Sequence, residues 1–376
     1  MKKLAVALAM VIVCGMSASA SAQQRTDRMT SLMALVPAVW LTDSGALIGF
    51  SDVEASTAAT VRSPAGLLAG LMGRNNPMAP LQRLRAVPYS LASAAQLGMR
   101  GGWQERVGFE PDQISALLSA EWLGEGVNEV MVFDLADGAD HDSIGQALLA
   151  NDYQTRTVGD WSAWWRGEDY VIDRDARDPV SPFGAGMGQS SRVASNGERL
   201  VHAAAWSPIE EMAGPPDATL QDLPEMTAIA SALNDPRFGD AGLVQAMVMP
   251  QAPQADDAAA EPVLPPWRLG MLADLSSGPV DYGVAVVVYD DRATAEGLAG
   301  PLLSAWQAMR STEHDATFAE LAGGEADAFV VGDGPAALVL AIERPMDGEE
   351  QEASNLVFQV LYEGYITNDL GPLASR

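Results

Sequence analysis

The chain has 376 residues, 48% of them hydrophobic, and it carries 22 basic against 50 acidic side chains, a net charge of −28. Such a negative surface repels nucleic-acid phosphates and anionic membrane faces, which argues against nucleic acid as a partner. The length and the apolar content suffice for a large core, in two domains or in one duplicated domain. No apolar run beyond the N-terminus is long enough for a transmembrane helix.

The N-terminus has the pattern of a cleaved signal peptide. Lys2 and Lys3 precede an apolar run at residues 4–13, and the small residues Ala20-Ser21-Ala22 follow it. We therefore expect residues 1–22 to be removed by cleavage after Ala22, and the mature protein to be periplasmic or secreted. An uncleaved anchor and a buried N-terminal helix are the alternatives.

The only cysteine, Cys14, lies inside this signal. Val11-Ile12-Val13 precede it where a lipidated cysteine requires small residues, so we do not expect a lipoprotein. Both lysines are removed as well, which leaves 20 arginines against 50 acids and a net charge of −30. A mature chain without cysteine excludes thiol catalysis, disulfides and cysteine-ligated metals.

Residues 23–126 form the first region of the mature chain, with helices and one strand. The helices are predicted at residues 25–35, 64–72, 89–97 and 109–123, and the strand at residues 45–50. In the helix at 109–123, Pro111 suits the first turn, and Ile114, Leu117 and Leu118 share a face.

Residues 127–250 are predicted to form an α+β half. The segment 127–135 is apolar on both faces, which is typical of an interior strand. Helices are predicted at residues 140–151 and 224–233, and further strands at residues 153–158, 162–165, 170–172, 199–206 and 243–249.

Residues 251–266 are rich in proline, alanine and acids and are predicted to be a linker. Residues 267–376 repeat the earlier pattern as a second α+β half. Residues 281–309 are predicted to be a buried strand, an acidic turn and a helix, and further strands are predicted at 267–275, 326–331 and 336–343. The last segment, at 355–366, is predicted to be a helix, with a strand as the alternative. The predicted fold is therefore α+β, with two related ferredoxin-like βαββαβ halves built on antiparallel sheets, after an N-terminal helical region.

Four phrases carry a resemblance to a family. They are GVNEVMVFDLADGADHDSIGQALLANDY, GEDYVI, SPFGAGMGQSSRVA and LQDLPEMTAIASAL. With these phrases the chain resembles exported bacterial cell-envelope proteins of unknown function over about residues 30–250. Asn151-Asp152-Tyr153 stands where that pattern has a Gly-Tyr step. The resemblance implies export and a similar fold, and it implies no activity for any residue.

A glycine-rich loop, PFGAGMGQSSR, is the first candidate ligand site. Flexible glycines let backbone N–H groups converge on an anion, and serine and arginine side chains add donors. The candidate residues are Gly184, Gly186, Gly188, Ser190, Ser191 and Arg192. The glycine spacing and the prolines before the loop do not match a dinucleotide-binding turn, so a conformationally special surface loop is the alternative.

Trp164 and Arg166 are the second candidate site. An exposed indole beside a guanidinium can form a platform for a sugar or a peptide. In the alternative, the indoles cover the sheet and a helix as part of the core.

No cofactor and no metal site is expected, because the three histidines are scattered and the acidic runs lack the spacing of a calcium loop. The chain contains no GxSxG motif. The sequence therefore favours a non-catalytic exported protein that binds an envelope partner or a small-molecule ligand. The alternative is an envelope hydrolase with an unrecognised site that uses Ser190 or a pair of Asp/Glu side chains.

Overall fold

The structure of the protein is a computed structural model. It describes residues 25–62, 81–122 without 82, 89, 93 and 95–101, 128–250 without 137–138, 264–311, 314–346 and 354–367. The predicted signal peptide, the helix at 64–72, most of the helix at 89–97 and residues 251–263 of the predicted linker lie outside this part of the chain.

Helices and runs of strands are interspersed along the described chain. The helices are α1 (Asp27–Met33), α2 (Val39–Thr42), α3 (Val53–Arg62), α4 (Trp103–Val107), α5 (His141–Ala150), α6 (Trp206–Ala213), α7 (Pro224–Leu233), α8 (Arg292–Ala308), α9 (Phe318–Ala322) and α10 (Leu356–Ile366). The strands are β1 (Leu47–Asp52), β2 (Ile114–Trp122), β3 (Asn128–Leu135), β4 (Gln154–Val158), β5 (Trp161–Arg166), β6 (Ser191–Ser195), β7 (Arg199–Ala203), β8 (Gly242–Met249), β9 (Leu269–Ser276), β10 (Val280–Tyr289), β11 (Glu325–Val331) and β12 (Ala336–Pro345).

The strands form one antiparallel sheet of 12 strands, so the α+β class is confirmed. The order is β11-β12-β10-β9-β8-β1-β2-β3-β7-β6-β5-β4. The antiparallel β1–β8 pair lies near the middle and joins the strands before residue 204 to those after residue 241. One continuous hydrogen-bonded ladder therefore runs through the three regions that the sequence predicts as separate, at residues 23–126, 127–250 and 267–376.

The ferredoxin-like βαββαβ order is not confirmed. β1, β2 and β3 form a meander, α5 follows, and the chain returns through β4, β5 and β6 so that β7 pairs with β3. β8, β9 and β10 form a second meander, α8 follows, and β11 leads to β12, which pairs with β10. The two parts thus share a three-strand meander, a helix and a return to the third strand.

The predicted helix at 109–123 is wrong. Residues Pro111–Gln113 form only a short 3-10 turn, and Ile114–Trp122 form β2 between β1 and β3. Seven residues in succession are buried from Ile114, because helices cover both faces of the sheet at this strand. An apolar run that is buried on both faces also contains residues at helical spacing, and this misled the prediction.

The two faces of the sheet carry separate hydrophobic clusters. On one face, a continuous cluster packs α1, α2, α6 and α7 against strands from both halves of the sheet. On the other face, α3, α4 and α5 pack against β2, β3, β5, β6, β7 and Val244 of β8, and α8, α9 and α10 cover the strands from β8 to β12. We call these the shared face and the divided face.

A buried polar network lies on the divided face. Gln245 of β8 accepts from the Ala86 N–H at 3.0 Å and donates to Asp274 Oδ2 at 2.9 Å. The Asn355 Nδ2 amide, at the start of α10, donates to Asp274 Oδ1 at 2.7 Å. Burial raises the pKa of Asp274, because a low-dielectric interior disfavours the charged carboxylate.

Candidate ligand-binding cleft

The glycine-rich loop folds back on the segment before it. Gly184 and Gly188 have positive φ angles of 66° and 76°. The Asp173 N–H donates to the Gly188 carbonyl at 2.8 Å, and a Cβ atom on Gly188 would lie 2.0 Å from the Asp173 carbonyl oxygen. Gly186 is exposed and is in contact with Pro179 only at van der Waals distance. Close backbone packing therefore accounts for Gly188.

Ser190, Ser191 and Arg192 turn inward from this loop. The Ser190 hydroxyl donates to the Ala204 carbonyl at 2.8 Å, and Ser191 is buried opposite Arg166 in the β5–β6 pair. Arg192 is 1% exposed and donates to Asp169 Oδ1 at 2.9 Å and to the Gly167 carbonyl at 2.9 Å. Ser190 and Arg192 are hydrogen-bonded within the protein and Ser191 is buried, and a direct contact of any of the three with ligand stays a prediction.

Trp164 and Arg166 stand on β5 beside that cluster, and Arg192 Nη1 donates to the Arg166 carbonyl at 3.0 Å, but their side chains lead to different surroundings. The Trp164 indole is buried on the divided face against Gly145 of α5, where a Cβ atom would lie 2.5 Å from Trp164 Cζ2. The Arg166 guanidinium stacks over the Tyr153 ring at 5.1 Å from its centroid. The structure thus brings Arg166 to Tyr153, and Trp164 packs in the core.

Arg192 and Asp169 hold the loop that follows β5 in a conformation that includes a left-handed backbone at Tyr170. Asp169 links the Arg192 guanidinium to the Trp206 N–H, with an Oδ2 distance of 3.2 Å to that nitrogen. The next residue, Tyr170, has a φ of 59°, in the left-handed region that bulky side chains rarely adopt. Its ring is 56% exposed. Arg192 and Asp169 therefore position Tyr170 at the surface of the shared face.

Tyr170 borders a cleft of about 240 Å³, which we call the aromatic cleft. Two further aromatic side chains line it: Trp40 of α2 and Trp122 at the end of β2. Their ring centroids are 5.2 Å apart with an interplanar angle of 68°, an edge-to-face contact. Ser44, Ser207 and Glu211 also line the cleft. Three aromatic residues from three distant segments thus meet at one opening.

Glu211 of α6 connects the two walls of the cleft. Its Oε2 accepts from the Trp40 Nε1–H at 2.6 Å, and its Oε1 accepts from the Ser207 hydroxyl at 2.8 Å. Charge-assisted hydrogen bonds of this kind are short and strong, so Glu211 fixes the orientation of the Trp40 indole.

Glu129 of β3 also borders the cleft, but its side chain belongs to the opposite face. Val130 and Trp122 pack with the shared-face cluster, and side chains alternate along a strand, so Glu129 and its cross-strand partner Glu121 lie on the divided face. The pKa of Glu129 is raised to about 7, mainly by burial and in smaller part by the nearby Glu121, while the Ser90 hydroxyl, which donates to the Glu129 carboxylate, lowers it.

The histidines have different surroundings. His202 of β7 is buried against Phe183 with ring centroids 5.1 Å apart, and burial together with the charge of Arg192 lowers its pKa to about 3. His141, at the start of α5, lies with its Nδ1 2.7 Å from Ser195 Oγ. The pairing of Ser195 with His141 was not anticipated from the sequence. No group of three or more His, Cys, Asp or Glu side chains in the described chain has a metal-binding arrangement.

The sequence does not predict a site at the residues of the aromatic cleft. Trp40, Trp122 and Tyr170 are separated by 82 and 48 positions, so no local spacing connects them. The exposed sequence Tyr170-Val171-Ile172 between Asp169 and Asp173 is the signal that was available, because apolar side chains rarely stand in such an acidic turn.

No helix within the described residues is both long enough and apolar enough to cross a membrane. No protein-family model matches the chain, and no curated protein matches it. Among solved structures, crystal forms III, I and IV of TP0453 are similar to it, with sequence identities of 8%, 9% and 8% and TM-scores of 0.36, 0.35 and 0.34. The matches cover 87%, 88% and 86% of this chain and 98%, 98% and 96% of those chains. At these values the comparisons place the chain in no family.

Proposed function

We propose that the protein is a non-catalytic binding protein of the periplasm or the extracellular space, and that its ligand binds in the aromatic cleft. The observation that carries the proposal is the convergence of Trp40, Trp122 and Tyr170 on one opening beside Glu211. A concave site with aromatic walls and few polar groups is the usual form of a small-molecule site.

The backbone of Tyr170 supports this choice of site. A tyrosine at a φ of 59° is strained, and such strain persists where surrounding contacts impose it, often at ligand sites. Arg192 and Asp169 supply those contacts. A contact between the exposed ring and a ligand gives this strained geometry a use.

Native mass spectrometry of the protein purified from the periplasmic fraction tests the proposal. We expect a small molecule to remain bound to the wild type and to be lost from the double variant Trp122→Leu/Tyr170→Ala. Tyr365→Ala is the control, because Tyr365 is a half-buried tyrosine of α10 on the divided face. Equal occupancy in wild type and double variant, or no bound species in any of the three proteins, would contradict the proposal.

Export is a separate part of the proposal and rests on residues 1–22 of the sequence. Intact-mass analysis of the protein expressed in a bacterium should show a mature chain that begins at Gln23 and is recovered with the periplasm or the medium. A full-length chain that begins at Met1 and stays with the cytoplasm would rule export out.

A second candidate function, hydrolysis, is favoured by one observation. Ser195 Oγ accepts from the Gly197 N–H at 3.0 Å and lies 2.7 Å from His141 Nδ1. In the tautomer that carries its proton on Nε2, His141 Nδ1 accepts from the Ser195 hydroxyl. Burial lowers the pKa of His141, which keeps the ring neutral and able to accept a proton. Ser195 Oγ would attack an ester carbonyl carbon while its proton moves to His141 and then to the departing alcohol, and water would release the acid. Against this, Ser195 is 5% exposed.

A fluorophosphonate probe distinguishes the two candidates. Labelling of the native protein at Ser195, lost in Ser195→Ala and reduced in His141→Gln, would favour hydrolysis. Absence of labelling, next to a serine hydrolase that is labelled under the same conditions, would leave the Ser195–His141 pair a structural contact.

A further inference from the structure

The hydrogen-bonding groups of the aromatic cleft leave it with acceptors and few free donors. The Trp40 Nε1–H and the Ser207 hydroxyl both donate to Glu211. The side chains lining the cleft include no Arg or Lys. A neutral sugar needs donors as well as acceptors from its site, because each hydroxyl is both. A ligand that brings positive charge suits this lining better.

The surroundings of the cleft are also acidic. Two neighbouring grooves flank the α2 segment, and their lining includes the acids Asp43, Glu210, Asp217 and Glu225 besides Glu211. The one basic residue among them, Arg268, is paired with Glu225 at 3.0 Å and with Asp290. Glu210 is paired with Arg156 at 2.5 Å, so the negative charge near the cleft comes from Asp43, Asp217 and Glu211. Low-dielectric walls that carry one sign of charge concentrate ligands of the opposite sign.

The bonding of Glu211 points to a particular kind of cation. Each of its oxygens already accepts one hydrogen bond, from Trp40 and from Ser207. A quaternary ammonium group has no N–H to donate, and it requires only a nearby negative charge and aromatic faces. The volume of about 240 Å³ lies below the roughly 300–1,000 Å³ of sites for drug-sized ligands, and it suits a group of headgroup size.

We propose that the aromatic cleft binds a quaternary ammonium headgroup between Trp122 and Tyr170, with Glu211 as the counter-charge. This inference rests on the proposed function and adds the chemical class of the ligand. The same headgroup is present in free choline and in phosphatidylcholine, and the experiment separates these sources.

Isothermal titration of the full chain with choline is the test. The neutral control is 3,3-dimethylbutan-1-ol, in which carbon replaces the nitrogen and the shape is kept. We expect choline to bind at least about tenfold more tightly than this isostere, since a desolvated cation over aromatic rings gains roughly that factor. Its affinity should fall when sodium chloride is raised, because salt screens the charge.

Variants assign the binding to the cleft. Glu211→Gln keeps an oxygen acceptor and removes the charge, and Trp122→Leu removes one ring; each should weaken choline binding about tenfold while the circular dichroism spectrum is unchanged. Glu296→Gln, an exposed glutamate of α8, should bind as the wild type does. Unchanged affinity in both cleft variants would overturn the proposal.

The remaining outcomes separate the ligand class from the binding site. Equal affinity for choline and the isostere would overturn the quaternary ammonium class, and so would a protein that binds a disaccharide but not choline. In either case, a ligand detected by native mass spectrometry would still support the cleft as the binding site. If neither method finds any ligand, both proposals fail. Sedimentation with phosphatidylcholine vesicles but not with phosphatidylglycerol vesicles would support the headgroup and identify a lipid source, and binding of free choline alone would support a free source.

Discussion

Gly188 and Gly186 stand in the same loop and differ in their tolerance of a side chain. Gly188 has a φ of 76°, and a Cβ atom there would meet the Asp173 carbonyl oxygen at 2.0 Å, whereas the nearest atom to a Cβ atom on Gly186 is at 3.6 Å. We expect Gly188→Ala to lower the free energy of unfolding by about 3 kcal/mol, through left-handed strain and overpacking. Gly186→Ala should change it by less than about 0.5 kcal/mol.

Urea unfolding followed by circular dichroism measures both variants. Equal stability of the two would show that the backbone contact between Gly188 and Asp173 is not a constraint of the folded state.

Glu129 makes stability depend on pH. Its folded-state pKa is about 7, above the ordinary value of 4.5, because its side chain is 3% exposed. The folded state therefore binds the proton more tightly, and this contribution to stability is present below pH 4.5 and is lost as the pH rises to about 7. It amounts to about 3 kcal/mol at most.

Glu129→Gln should remove that part of the dependence. We expect the variant to lose less stability than the wild type between pH 5 and pH 8, and to be the more stable protein at pH 8. Glu296→Gln serves as an exposed control. Parallel curves of unfolding free energy against pH for wild type and Glu129→Gln would show that Glu129 does not cause this pH dependence.

At the scale of elements, α10 depends on a buried cap. Asn355 Oδ1 accepts from the Phe358 N–H at 3.2 Å, and its amide donates to Asp274 and to the Tyr282 carbonyl. Asn355→Ala removes the cap and leaves two buried acceptors unsatisfied, which should cost about 3 kcal/mol. Thr317→Ala, at the partly exposed cap of α9, should cost about 1 kcal/mol.

Chemical denaturation measures the decrease in the free energy of unfolding for each variant, and the two decreases are compared. If Asn355→Ala cost no more than Thr317→Ala, the buried bonds to Asp274 and Tyr282 would add nothing to an ordinary cap.

The sequence predicts the elements unevenly, and the reason is physical. The sequence correctly predicts β8 and β10 as strands and α5 as a helix, because the apolar pattern of each segment matches a single type of secondary structure. The sequence predicts a helix over β2, since burial on both faces hides the strand period. It does not predict the aromatic cleft, because Trp40, Trp122 and Tyr170 stand on a helix, a strand and a loop that only the tertiary fold brings together.

At the scale of the whole molecule, the sheet should unfold as one unit. The β1–β8 pair continues the ladder between the two parts, and the shared-face cluster includes side chains from β1, β2, β8, β10 and β12. Separate unfolding of either part would expose that cluster to water. Differential scanning calorimetry should therefore show one transition whose calorimetric and van't Hoff enthalpies agree. Two resolved transitions would show that the parts are energetically independent.

The position of β1 beside β8 also has a consequence for either part taken alone. Each is the first strand of its meander, and the two pair antiparallel at the junction of the two parts. A fragment that held only one part would expose its first strand as an edge of unpaired N–H and C=O groups, which is a template for association with another chain.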